Sequence, residues 1–266
     1  MTMISFLTGL PLWLLGMLIV GLPTVLAMFG PFLVRRYATL EKLTENNEVA
    51  GFKFAVVGVL YAVLLGFAII VVWERFSDAE TNVATEAGAA ANIYRLSQGI
   101  NGQPGIVLRE ALTNYLKVVI SDGWPLMERG SPSTSAREAL DAVYKAVLTL
   151  ESPERPDTAF VSEILRQLDT ITQMRRARLS AAVGLVPGVI WPILFGGALI
   201  TIAYTFFFGS RNLGAQTLMT GMLSIIIFSG LLTAILIDQP FAGVVKVTPH
   251  ALTQVLGDFG SMPGDR

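Results

Sequence analysis

Four long stretches of this chain hold no Asp, Glu, Lys, Arg or His: residues 10–34, 54–73, 179–208 and 212–237. Each supplies about the 20 apolar residues that one helical crossing of a hydrocarbon core requires. They pair two and two around a polar middle. The expected fold class is therefore an all-α integral membrane protein, with four transmembrane helices and a helical soluble insert between the second and third. The expected divisions are a first transmembrane hairpin at 1–74, a soluble domain at 75–178, a second hairpin at 179–238, and a tail with a short amphipathic helix at 239–266. The lipid bilayer is then an obligatory partner.

Composition narrows the chemistry. The chain is 53% hydrophobic and 15% charged, with a net charge of −1. That leaves no basic footprint for a nucleic acid. With no cysteine and one histidine, His250, thiol chemistry, disulfides and His-rich metal sites are excluded. No catalytic residue, metal or cofactor is expected. The uncharged interiors lack the ionisable groups that mark proton relays and ion-coupled pumps. Passive permeation stays open, because apolar rings and weakly polar groups such as Tyr61, Thr201, Thr217 and Ser224 can line a pore.

Local signals divide the spans further. Gly21-Leu22-Pro23 reads as a break in the first, and Pro187 and Pro192 as kinks in the third, since proline removes a backbone donor. Residues 179–208 exceed one crossing, so that helix must tilt, kink or project. In the second span Gly58, Ala62 and Gly66 form a small-residue stripe that admits a close helix neighbour. Residues 74–96 contain no proline, so the second span continues as one helix to about Leu96. On it Asp78, Asn82 and Glu86 follow at four-residue spacing, the basis for a polar vestibule. Further helices are expected over 105–120, from Ser131-Pro132 to Glu151, and from Pro156-Asp157 through Arg175, Arg176 and Arg178 into the third span. Phe160, Val161, Ile164, Leu165, Leu168 and Ile171 carry that helix's apolar face. Thr248-Pro249 opens a short tail helix with Leu252, Val255, Leu256 and Phe259 on one side.

Orientation rests on a near balance. Arg35, Arg36, Lys42 and Lys53 stand against Arg75, Arg175, Arg176 and Arg178 beside the insert. The lack of cysteine suits a reducing compartment. The insert and both termini are expected on the cytoplasmic side of the inner (plasma) membrane.

The motifs resemble a known family. Asn46-Asn47-Glu48-Val49-Ala50-Gly51 precedes the second span. Tyr61, Leu64-Leu65-Gly66-Phe67, Trp73-Glu74-Arg75-Phe76-Ser77-Asp78-Ala79, Val83 and Glu86-Ala87 follow. Arg176, Arg178, Leu179, Pro187, Trp191 and Asp238-Gln239-Pro240-Phe241-Ala242-Gly243 come later. Together these resemble the bestrophin-like domain family of bacterial and plant membrane proteins, over nearly the whole chain. The resemblance implies a likeness to bestrophins, which are pentameric anion channels with four crossings, a helical cytosolic region and a pore lined by the second span. It marks Asn47, Glu48, Gly51, Glu74, Arg75, Asp238, Pro240, Phe241 and Gly243 as motif residues of unassigned role. The bestrophin calcium-clasp sequence has no counterpart that can be placed here.

The function expected is an oligomeric ion channel, a homo-oligomer passing a small inorganic ion, with anions favoured. Pore-lining candidates are Tyr61, Gly66, Phe67 and Trp73. Two other classes fit the layout: a stator-like energy-transducing subunit of the flagellar-motor or TolQ type, and a membrane scaffold without transport.

Overall fold

The computed structural model describes residues 11–45, 47–150, 158–184 and 186–260. Among them every regular element is helical. In chain order these are α1 (Leu12–Tyr37), α2 (Leu40–Glu45), α3 (Asn47–Gln98), α4 (Gln103–Val118), α5 (Trp124–Glu128), α6 (Thr134–Leu148), α7 (Thr158–Ala181), α8 (Ile190–Thr205), α9 (Leu213–Ile237) and α10 (His250–Phe259). Three are long and apolar enough to cross a membrane: α1, α3 and α9, with mean hydropathies of 2.2, 2.9 and 2.2 over their best windows.

The break expected at Gly21-Leu22-Pro23 is not a break. Met17–Gly21 is a π turn inside α1, closed by Leu22 N–H donating to the Met17 carbonyl. Pro23 has no N–H for the Ile19 carbonyl, and the wider turn absorbs that loss without ending the helix. The same device recurs at Gly123-Trp124-Pro125. There Val119–Gly123 is a π turn, with Trp124 N–H donating to the Val119 carbonyl, and it joins α4 to α5.

The third apolar stretch departs most from expectation. α7 stops at Ala181 and does not run on into the membrane segment. Gly184 at φ +110° and the donorless Pro187 interrupt it. Only the 16 residues of α8 then form apolar helix, about 24 Å at 1.5 Å per residue. Pro192 makes no kink, because it sits in the first turn of α8, where backbone donors have no intrahelical partner.

Two compact units emerge. The first comprises Met1–Arg75, Gly184–Gln239 and Gly243–Val245. Its apolar core draws Leu15 and Ile19 from α1, Tyr61 from α3, Trp191 and Leu194 from α8, and Phe228 and Leu231 from α9. α1 lies along α9, where a Cβ on Gly221 would stand 3.1 Å from the Met28 side chain. Thr24 donates to Ser224 across the same seam at 3.2 Å. Hydrogen bonds between small polar side chains are a usual adhesive where lipid removes the hydrophobic drive between helices.

The second unit comprises Phe76–Val183, Pro240–Ala242 and Lys246–Arg266. Its core is built from Leu108, Leu112, Tyr115 and Leu116 on α4, Val143 and Val147 on α6, and Ile164, Leu168 and Ile171 on α7. Phe160, expected on the same face of α7, is instead largely exposed at its first turn. α6 is capped by Ser133, whose Oγ accepts from Ala136 N–H at 3.0 Å, and not by Ser131. Ser133 also donates to Asp122 Oδ2 at 2.6 Å, which fixes the cap two residues later than the Ser-Pro signal suggests. The helix ends at Leu148; Glu151, Pro156 and Asp157 fall outside the described residues. α10 closes the unit: Tyr94 stacks on Phe259 at 3.9 Å and 9°, and donates to the Phe259 carbonyl at 3.1 Å.

Candidate functional site

α3 carries most of the residues that the sequence singles out. It is one helix of 52 residues without proline. Within the first unit its inner face is marked by Tyr61, 6% exposed, whose hydroxyl donates to the Leu194 carbonyl of α8 at 3.1 Å. A Cβ on Gly197 would meet the Tyr61 ring at 2.6 Å, so this glycine admits the aromatic side chain. Tyr61 therefore packs inside its own chain, and the expectation that it faces a lumen is corrected. A neighbouring face, about 100–120° around the helix, stays open. Leu60 and Phe67 are 67% and 63% exposed, and with Lys53 and Glu74 they recur every seven residues, which places them on one side. Trp73 is also exposed. At Gly58 and Gly66 nothing lies within 4 Å of where a Cβ would stand, so the small-residue stripe is not used for packing inside the chain.

The polar row divides. Asp78 is exposed, Asn82 is half-buried and Glu86 is completely buried. A four-residue step overshoots a turn of 3.6 residues, so each step moves about 40° around the helix. After two steps Glu86 has left the face of Asp78 and joined that of Ala79, Val83, Ala90 and Ile93, which are core residues. Glu86 is thus no part of an open vestibule.

It is instead one half of a buried ion pair. Arg178, near the end of α7, donates Nε to Glu86 Oε2 at 2.9 Å and Nη2 to Oε1 at 3.1 Å. Tyr115 of α4 donates its hydroxyl to the same Oε1 at 2.7 Å. The guanidinium carbon lies 5.0 Å from the ring centre of Trp124, and Nη1 points at the Met127 sulfur at 3.4 Å. Phe241 then meets Trp124 edge-on at 5.7 Å. All six side chains are withdrawn from solvent. Burial pulls the Arg178 pKa down, but the Glu86 charge and its hydrogen bonds more than offset this, and the net direction is upward. The Tyr115 hydroxyl is pushed well above its ordinary value, by burial first and by the Glu86 charge second. A bidentate, hydrogen-bonded, charge-neutral pair buried to this degree presents no surface to a substrate. It fixes α3, α4 and α7 to one point.

Other motif residues acquire physical roles. Asn47 clamps the turn between α8 and α9: its Nδ2 donates to the Gly209 carbonyl at 2.7 Å and its Oδ1 accepts from Gly209 N–H at 2.8 Å. A Cβ on Gly51 would touch the Phe208 ring of that turn at 3.9 Å. Asp238, buried at the end of α9, accepts from Val186 N–H at 2.8 Å and so holds the interruption before α8. The Pro240 carbonyl accepts from Val247 N–H at 2.7 Å, and Gly243 takes φ +87°, so this stretch doubles back on itself. Glu48, Glu74 and Arg75 are exposed.

Sequence reasoning did not find the Glu86–Arg178 pair, nor Tyr115, Trp124 and Met127 around it. A signal was present, because Glu86 sits within the run Ala79, Val83, Ala90 and Ile93 at helical spacing. A lone acid inside an apolar stripe asks for a buried cation. Among the described residues no three of His, Asp and Glu gather into a metal-binding group.

The bestrophin-like domain profile matches residues 21–252. Among solved structures, a bacterial bestrophin homologue from Klebsiella pneumoniae carrying a single substitution superimposes with a TM-score of 0.72 at 14% identity, over 92% of this chain and 99% of that one. A second variant of the same homologue gives 0.73 at 15% identity, over 91% and 98%. A structure described as a membrane protein gives 0.72 at 16% identity, over 92% and 97%. At these identities the likeness concerns the fold. No curated protein sequence matches the chain.

Proposed function

The chain belongs to the bestrophin-like family, and we propose that it is an oligomeric ion channel whose pore is lined by α3. Bestrophins are an ion-channel family, and the fold agrees with that of their bacterial homologues. The observation that carries the reading is the open face of α3 in the first unit. Leu60 and Phe67 are two-thirds exposed while Tyr61, about a third of a turn away, ties α3 to α8. An apolar strip with a cationic Lys53 at its start and Glu74 at its end suits the wall of a narrow pore shared between copies. Tyr61 is withdrawn from the set; Gly66, Phe67 and Trp73 stay in it.

In this reading α1, α3, α8 and α9 cross the inner membrane, and residues 75–178 form a soluble insert on the cytoplasmic side with both termini. α8 crosses as the shortest helix, with the backbone held by Asp238 completing its passage. The permeant is an anion. Burial of Glu86 against Arg178 removes one acidic group from the conduit. Glu74 keeps its place at the end of the strip, with Arg75 beside it to offset its charge, and Asp78 lies against a neighbouring copy, since an unbalanced acidic ring on the lumen would repel anions.

Ion substitution on purified protein in planar bilayers tests this. A reversal potential that follows the chloride gradient, left unchanged by Glu74→Gln and Asp78→Asn, supports anion permeation. A potential that follows the cation gradient, and shifts with those variants, means an unbalanced acidic ring on the lumen and reverses the selectivity. Conductance no greater than that of empty bilayers removes the channel reading.

A further inference from the structure

Arg35 is half-buried and has no anionic partner among the described residues. It stands in the last turn of α1, and its Nη2 donates to Gln216 Oε1 of α9 at 3.3 Å. Gln216 is itself fixed, because its Nε2 donates to the Phe208 carbonyl at 2.7 Å. The Arg35 Nε is buried and has no partner, and among the described residues Arg35 forms no ion pair. A guanidinium part-withdrawn from water, with one long bond to a neutral acceptor, has an unmet demand for negative charge.

Among the described residues no neighbouring carboxylate pairs with it. The Asn47–Gly209 clamp gathers the end of α1, α2, the start of α3 and the turn at Gly209 at one end of the first unit. A Cβ on Gly209 would stand 2.5 Å from the Thr44 backbone nitrogen, so α2 lies directly on that turn. Arg36 next to Arg35, Lys42 on α2 and Arg211 in the turn add cations at this end, against the exposed carboxylates Glu41, Glu45 and Glu48. The outer face of α1 leads into this cluster. Phe29 and Leu33, 64% and 61% exposed, are followed by exposed Arg36 at steps of four and three residues. One surface thus runs from apolar to cationic, as does the profile of a lipid from acyl chain to phosphate.

We propose that this end of the first unit binds the phosphate of an anionic phospholipid. Arg35 is the inner cation, meeting the phosphate through the part of its guanidinium outside the buried Nε, Arg36 is the outer one, and Phe29 and Leu33 support the acyl chain. The site depends on membrane residence and not on conduction through α3, so its test is independent of any current.

The full-length protein, purified in detergent, is mixed with equal amounts of phosphatidylglycerol and phosphatidylcholine, and the lipid retained per protomer is read by native mass spectrometry. Phosphatidylglycerol is expected in excess, falling about fivefold for each arginine removed, in Arg36→Gln and in Arg35→Gln. Arg95→Gln, at an exposed position in the second unit, is expected to change nothing. Arg36 is exposed, so its variant keeps the test open if Arg35→Gln does not fold. Equal retention of the two lipids, or losses no greater than for Arg95→Gln, overturns the proposal. Displacement of phosphatidylglycerol by millimolar inorganic phosphate also overturns it, and assigns the site to a free oxyanion.

Discussion

Arg178 and Arg35 are both drawn away from water, and they are served in opposite ways. In the second unit Arg178 meets Glu86 twice, and Tyr115, Trp124 and Met127 complete its shell. In the first unit Arg35 meets one neutral amide and keeps an orphaned Nε. The difference follows from what each unit can recruit. The second unit is assembled from amphipathic helices with charged outer faces, so turning one acid inward supplies a counter-ion. The first is assembled from helices whose apolar stretches contain no acid, and the carboxylates of Glu41, Glu45 and Glu48 stay exposed and form no ion pair with Arg35 among the described residues. One unit is electrostatically closed, the other open.

Replacing Arg178 with Met should break the closed case most severely. It strands Glu86 in an apolar core, at a cost of about 3–5 kcal/mol in denaturant titration. Pairing it with Glu86→Met should return most of that loss, because removing both charges removes both desolvation penalties. A single variant as stable as the parent would mean that the pair contributes nothing. Tyr115→Phe should cost less, about 1.5–3 kcal/mol, the range for a hydrogen bond to a charged group. It should also flatten the alkaline limb of stability. The folded-state pKa of Tyr115 is raised by burial and then by Glu86. Its contribution is therefore intact below the ordinary tyrosine value of about 10 and declines as the pH rises above it. Arg35→Met should cost least in detergent without anionic lipid, about 0.5–1.5 kcal/mol for one neutral hydrogen bond. A loss as large as that of Arg178→Met would reveal a counter-charge within the chain and erase the contrast.

Much of the fold was legible because hydropathy and missing breakers speak plainly. Three of the four uncharged stretches correspond to helices long enough to span a bilayer. The proline-free run after Glu74 does continue as helix, to Gln98. The fourth case failed for a local reason. Gly184 and Pro187 end helical structure outright where the length of the apolar run suggested continuity, and Asp238, distant in sequence, stabilises the interruption. At the candidate site the difficulty was angular. Asp78, Asn82 and Glu86 look aligned when counted in fours, yet the row winds into the core. Tyr61 posed a tertiary question, since only the presence of Gly197 opposite decides that the ring turns inward. The Asn47 clamp likewise depends on a partner 162 positions away.

The two Gly-x-Pro turns bear on how this chain tolerates change in length. Each stores one residue more than an α-helical ladder would use, so a single-residue deletion within 17–21 lets the turn close as ordinary α-helix while the segment before it keeps its facing. Leu15, which is wholly enclosed in the first unit, would then stay in its core, whereas the same deletion a few residues further along α1 would turn it by about 100°. These turns are therefore the places where the chain can shed one residue at the cost of a local rearrangement, and functional relatives one residue shorter in these helices should have lost it there.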